Sequence, residues 1–408
     1  MIAEQLARVL EPLVGGELPV RIIAWDGSST PERDADDRPV VRLNSAEVLR
    51  RQLWGPGELA LSQSYVLGEL EVSGELYPAL RKVWDVVRER ELSAVKITPL
   101  LLARLTGLAR SAGAIGPRLK APDSQAKLLG RLHSKQRDRR AISHHYDLSN
   151  EFYGLILDER MAYSSGYWQR GASTLFEAQG AKCRLVGEKL ALKPGMRVLD
   201  IGCGWGSLSI ELAEQFDVEM VGVTISAEQR AFAERRAQDR GVAGHVEIRL
   251  QDYREITGGP FDAVVSLEMG EHVGQQNYAS YATAIRENLK AGAPALVQQM
   301  SRRGKHPGGG PFIEAFIAPD MHMRPLGETL DFFEDGGLEV LGVQSLREDY
   351  VRTIAAWREN FEQNFDRAES MMGPEITRVW ELYLAGGELS FAQGRMGVDQ
   401  ILMRRSVV

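Results

Sequence analysis

The feature that most constrains this 408-residue chain is the run Val198-Leu199-Asp200-Ile201-Gly202-Cys203-Gly204-Trp205-Gly206. An apolar strand pattern leads straight into a Gly-x-Gly-x-Gly turn, and an apolar helical pattern follows from Ser207 to Ala213. Glycines there let the backbone approach a ligand closely, and the helix start behind them presents unpaired N–H groups. Strand, turn and helix in that order separate a ligand-binding turn from a stray glycine cluster.

Spacing chooses among ligands. A dinucleotide fingerprint wants G-x-G-x-x-G and an acid about twenty residues further on. Here the glycines are Gly202, Gly204 and Gly206, and Asp200 precedes them. The next strand, Glu219 to Val223, ends in Thr224-Ile225-Ser226 without an acid, leaving Gln229 as the polar candidate for a ribose. No Gly-Lys-Ser/Thr follows the turn, which excludes a phosphate-binding P-loop. The pattern D-x-G-x-G-x-G resembles motif I of class I methyltransferases, whose cofactor is S-adenosylmethionine.

The chain is long enough for two or three domains. No apolar run approaches the roughly eighteen residues that span a bilayer, and Met1-Ile2-Ala3-Glu4-Gln5 lacks the start of a signal peptide. Two cysteines, Cys183 and Cys203, make no disulfide framework, so a cytoplasmic setting is expected. Net charge is −7, yet residues 101–140 hold ten Lys/Arg against two Asp/Glu. Such a segment suits an anionic surface. Pro99 to Arg110 reads as a basic amphipathic helix for a membrane interface, and no aromatic residue interrupts the basic stretch, which argues against nucleic acid.

Three parts are expected: an N-terminal unit over 1–112, a basic linker over 113–140, and a βα-alternating domain over 141–408. Strands are predicted at 197–201, 219–223, 246–250, 261–267 and 293–299, with two more at 338–346 and 398–404. Helices are predicted at 174–191, 227–240 and 278–289. The expected fold is α/β, a Rossmann-like seven-stranded sheet of the class I methyltransferase type with a smaller N-terminal α+β domain. Ligands of such sheets bind beyond the carboxyl ends of the strands. Those ends carry Gln251-Asp252-Tyr253, suited to an adenine ring, then Glu268-Met269-Gly270-Glu271-His272, then Gln298-Gln299-Met300. Met300, Met321, Met323, Phe312 and Phe316 suit an apolar pocket for a flexible chain.

Read together, these pieces resemble the cyclopropane-fatty-acyl-phospholipid synthase family along nearly the whole chain. Further matching pieces are Gly57 to Gly68, His144-His145-Tyr146-Asp147-Leu148-Ser149-Asn150, Met161 to Trp168 and Glu271-His272-Val273-Gly274. The resemblance implies S-adenosylmethionine held by Tyr163, Ser164, Gly202, Gly204, Gln229 and Tyr253. It implies a bicarbonate ion as proton acceptor, held in the family by a cysteine main chain, a glutamate, a histidine, an isoleucine main chain and a tyrosine. Those positions map to Ser165, Glu271, Gln298, Met300 and Tyr350, so cysteine, histidine and isoleucine are replaced. An anion site of altered basicity and direct proton abstraction by Glu271 both stay open. The implied substrate is a cis-unsaturated acyl chain of phospholipid, met by a peripheral protein at an anionic membrane surface. Methyl transfer to the double bond leaves a cation, and loss of a proton gives either cyclopropane or, after a hydride shift, a methylene branch. The altered base site favours the methylene, which a separate reductase partner would saturate. A homo-oligomer stays open, no metal is expected, and a non-lipid methyltransferase or a non-catalytic lipid-binding relative are the alternatives.

Overall fold

The computed structural model describes residues 1–33, 36–55, 57–92, 98–126, 149–304 and 309–407. The chain divides into two compact units: Met1–Ala126 with Phe365–Leu389, and Lys127–Asn364 with Ser390–Val408. By contact, the segment Phe365–Leu389 goes with the first unit.

The first unit holds a three-stranded sheet of β1 (Arg21–Ala24), β2 (Val40–Leu43) and β3 (Leu70–Ser73). Its core gathers Ile2, Leu6, Ile22, Leu43 and Val48. Helix Pro99–Ser111 forms as predicted, opened by Thr98, whose side chain accepts from the Leu101 N–H. Leu101, Leu108 and Ala109 on it are buried, Leu108 within the core. The densest basic residues, Arg131 to Arg140, lie outside the described residues. The Gly57–Gly68 motif proves structural: the Tyr65 hydroxyl donates to Glu381 Oε2 at 2.7 Å, which fixes Phe365–Leu389 into this unit.

The second unit holds a seven-stranded sheet in the order β6-β5-β4-β7-β8-β10-β9. These are β4 (Arg197–Ile201), β5 (Glu219–Thr224), β6 (Val246–Leu250), β7 (Ala263–Leu267), β8 (Pro294–Arg302), β9 (Leu338–Ser345) and β10 (Met396–Arg405). The first five are parallel, while β10 runs antiparallel between β8 and β9. Side chains alternate across the pleat: Val198, Val265 and Leu296 enter one core, Leu199, Val264 and Val297 the other. A sheet covered on both faces explains the near-continuous apolar strands, and each such side chain contributes about 1.5–3 kcal/mol. Chain order reverses between β4 and β7, which places the ligand crevice at the end of β4.

Candidate active site

At the end of β4 the three turn glycines all sit at positive φ: +82° at Gly202, +53° at Gly204 and +77° at Gly206. Neighbours crowd two of them. A Cβ on Gly202 would lie 2.9 Å from Met269 Cγ, and one on Gly206 2.8 Å from the Ala233 Cβ. Gly204 faces open space, and helix Ser207–Phe216 begins without a side-chain cap. Asp200 is buried and accepts from Ser209 Oγ at 2.8 Å. It therefore ties β4 to the helix behind the turn. Burial pushes its carboxyl up to about 6.

The end of β5 is held by its own residues. Thr224 Oγ1 donates to Gln229 Oε1 at 2.9 Å, and Ser226 caps the helix from Ala227 by accepting from the Gln229 N–H. Ile225 is half-buried beside them. Past β6, the Gln251 amide donates to the Glu255 carbonyl, and Asp252 takes a two-pronged ion pair from Arg254 at 2.7 and 2.8 Å. Tyr253 meets Tyr281 edge-on at 5.7 Å. The Gln251 N–H donates to the Thr224 carbonyl at 2.9 Å, so the ends of β5 and β6 lie side by side.

The segment Met161–Trp168 crosses the mouth of the site and is fastened from the helix Arg347–Gln363. Asp349 Oδ1 accepts from the Trp168 N–H and Oδ2 from Gln169, both at 2.6 Å. Thr353 Oγ1 accepts from the Gly166 N–H and from the Trp168 indole, both at 3.0 Å. Beneath the segment, the buried Lys182 donates to Ser164 Oγ at 2.7 Å. Rings line the same mouth: Tyr153 contacts Trp205 at 4.8 Å and Tyr163 at 5.7 Å, and Trp357 contacts Tyr163 at 5.2 Å and Tyr350 at 5.8 Å. Trp357 is 1% exposed, and its indole nitrogen has no partner among the described residues. The open Gly204, the uncapped helix and this unspent donor fit a polar ligand flanked by rings, as S-adenosylmethionine is. Residues His144 to Leu148 lie outside the described residues.

The five positions expected around a bicarbonate ion do come together, but on side chains. The Ser165 N–H donates to Glu268 Oε1 at 2.9 Å, the Gln298 amide to the same oxygen at 2.8 Å, and the Tyr350 hydroxyl to Oε2 at 2.8 Å. The Met300 N–H donates instead to Glu271 Oε1. Gln298 is oriented from behind. Lys189 Nζ donates to Gln400 Oε1 at 2.6 Å, and Gln400 Nε2 donates to Gln298 Oε1 at 2.9 Å across the β8–β10 pairing. An ammonium only donates, so both amides turn their N–H groups toward Glu268. Bicarbonate does not fit this arrangement, because three of its expected holders are already spent on a carboxylate.

Burial raises the pKa of both carboxylates. Glu268 is half-buried; desolvation raises its pKa, while hydrogen bonds from Ser165, Tyr350 and Gln298 pull it back. Glu271 is 1% exposed. Burial first, then the charge of Glu268, push it up to about 8. The raised value favours the protonated form of Glu271 near neutral pH.

A stability profile checks this. The folded state keeps the Glu271 proton up to about pH 8, whereas an unfolded glutamate loses it near its ordinary value. The folded state thus binds more protons through that window, and stability falls as pH rises across it, by up to about 1.4 kcal/mol per unit. Glu271→Gln is expected to flatten this fall in denaturant titrations between pH 5 and pH 8. A parallel profile for both proteins would refute the assignment.

Sequence reasoning missed Trp357, Asp349, Lys182, Lys189 and Gln400 as parts of the site. Asp349 opens the piece Asp349–Ile354 that carries Tyr350, and the other four lie outside the matched pieces. Glu268 was visible only as one acid at a strand end.

The family model of mycolic acid cyclopropane synthetase matches residues 133–401. The chain belongs to that family. Across 97% of its length it is 31% identical to a probable fatty acid methyltransferase of Mycobacterium tuberculosis, covering 94% of that protein. It is 35% identical to the cyclopropane-fatty-acyl-phospholipid synthase of Escherichia coli over 68% of this chain and 70% of the relative. A mycolic acid cyclopropane synthase complexed with SAH and CTAB superposes with a TM-score of 0.62 at 29% identity, over 65% of this chain and 98% of that one. This member of the mycolic acid cyclopropane synthetase family is therefore an S-adenosylmethionine-dependent lipid methyltransferase of the class I fold. Among the described residues no helix is long and apolar enough to cross a membrane.

Proposed function

We propose that this enzyme adds a one-carbon unit to the cis double bond of an unsaturated phospholipid acyl chain and leaves a methylene branch. The observation that carries the reading is a chain of ring contacts through Trp205, Tyr153, Tyr163, Trp357 and Tyr350, whose last hydroxyl donates to the Glu268 carboxylate. Bound S-adenosylmethionine supplies an electrophilic methyl group.

An alkene is a weak nucleophile, and attack on that methyl leaves a carbocation on the chain. The faces of Trp357, Tyr163 and Tyr350 stabilise positive charge and exclude water. The charge held at Glu268 stabilises it further. A proton acceptor pinned by three donors cannot follow the new methyl group, so the cation has time for a 1,2-hydride shift before proton loss. That favours the methylene over ring closure. The extent of the matches supports the same side: the fatty acid methyltransferase aligns along almost the whole chain, the phospholipid synthase along 68%.

Phe312 and Phe316 stack at 5.6 Å and, with Met323, are buried; they form the apolar wall proposed for the acyl chain. The same reading has a peripheral enzyme meeting anionic lipid from the cytoplasmic side through the basic residues before Arg140, and a separate reductase using its product.

Mass spectrometry of acyl chains after incubation with S-adenosylmethionine and cis-monounsaturated phospholipid vesicles tests the proposal. The expected result is a gain of one CH₂ unit that takes up two hydrogens under mild catalytic hydrogenation. A gain resistant to hydrogenation would mean cyclopropane. No gain, with cofactor binding intact, would point to a non-lipid acceptor or a non-catalytic lipid-binding protein.

A further inference from the structure

We propose that the Glu268 carboxylate is the enzyme's own proton acceptor, and that turnover requires no diffusible anion. The inference rests on the reaction proposed above and concerns the same site.

Four observations converge. Glu268 sits at φ +52°, a left-handed conformation rarely adopted by a residue with a side chain. Such strain persists where the surroundings over-determine it, and it clusters at functional sites. All three groups on the carboxylate donate to it: a main-chain N–H, an amide and a phenol. Donors favour the ionised form and oppose the burial that raises this carboxyl's pKa. The row Lys189–Gln400–Gln298 fixes the donating sense of the amide from its charged end. Finally, Glu268 is only half-buried, whereas Glu271 is sealed from solvent. Of the two, Glu268 is the one that a substrate can reach.

The step balances. After the 1,2-hydride shift has moved the cation onto the methyl-bearing carbon, a C–H bond of the transferred methyl breaks, and its electron pair becomes the π bond of the methylene and cancels the cation. The proton passes to a Glu268 oxygen, giving the neutral acid, which returns it to solvent between turnovers.

The test compares the full-length wild type, Glu268→Gln and Glu268→Gly, each with S-adenosylmethionine and unsaturated vesicles, in carbonate-free buffer and with added bicarbonate. Glycine tolerates the left-handed backbone at this position and leaves the three donors facing a gap of carboxylate size. The wild type is expected to turn over equally in both buffers. Glu268→Gln should lose about 10²-fold or more in kcat, with cofactor affinity within a few-fold by calorimetry and no recovery in bicarbonate. Glu268→Gly should be as slow without bicarbonate and recover with it, because the anion can enter the emptied place. A wild type that stalls in carbonate-free buffer would overturn the proposal, as would Glu268→Gln at the wild-type rate. A wild type that makes no CH₂ adduct in either buffer would instead overturn the reaction assignment, so the two failures are separable.

Discussion

Gly206→Val is expected to cut S-adenosylmethionine affinity roughly thirty-fold or more. The backbone there stands at φ +77°, and a Cβ would come within 2.8 Å of the Ala233 Cβ. Left-handed strain in a residue with a side chain costs about 1–3 kcal/mol, and overpacking a filled contact about as much again. The branched valine adds atoms against the same helix, so the turn can relieve the clash only by moving. Movement carries Gly202 and Gly204 away from the cofactor path and misaims the N-terminus of helix Ser207–Phe216. Each 1.4 kcal/mol lost is about tenfold in affinity. Gly195→Ala is the control: Gly195 also has a positive φ, +79°, but no atom lies within 4 Å of its added Cβ. That variant should lose a little stability and keep its affinity by calorimetry. Wild-type affinity in Gly206→Val would remove the turn from the cofactor site.

Asp349→Ala is expected to cost about 2–4 kcal/mol of stability and to lower kcat more than tenfold. Asp349 is 2% exposed and takes the Trp168 N–H and the Gln169 amide. Removing it strands a buried main-chain donor, which costs about 1–3 kcal/mol by itself. It also loosens the segment that carries Tyr163, Ser164 and Ser165, so the N–H that holds Glu268 drifts. Asp349→Asn keeps one acceptor and should lose less on both counts. Denaturant titration and steady-state rates separate the effects. Unchanged turnover in Asp349→Ala would mean that the segment is positioned from elsewhere.

The sequence by itself determined the second unit's architecture. Apolar strands between glycine and polar punctuation announced β4 to β8 and the two late strands, and helices Leu175–Lys189, Ala227–Asp239 and Tyr278–Glu287 fall where their patterns stood. The cofactor turn was equally legible, because a left-handed Gly-x-Gly-x-Gly is a local requirement written in consecutive residues. These features depend on neighbours in the chain, and a linear reading contains neighbours.

The proton-acceptor site is of another kind. The partners of Glu268 lie 103, 30 and 82 residues away, and the orienting pairs Gln298–Gln400 and Lys189–Gln400 span 102 and 211. No period or spacing encodes such meetings. They arise because β10 inserts antiparallel beside β8 and brings Gln400 opposite Gln298, and because helix Arg347–Gln363 sets Tyr350 over the end of β7. The membership of Phe365–Leu389 in the first unit follows the same rule, resting on Tyr65 reaching Glu381 across 316 residues. What surrounds each of two neighbouring acids was also decided by packing. Glu268 and Glu271 are three residues apart and chemically alike. Three donors converge on one, while burial strips solvent from the other. A carboxylate's charge is set by the groups that surround it in space, and only the tertiary structure assembles those groups.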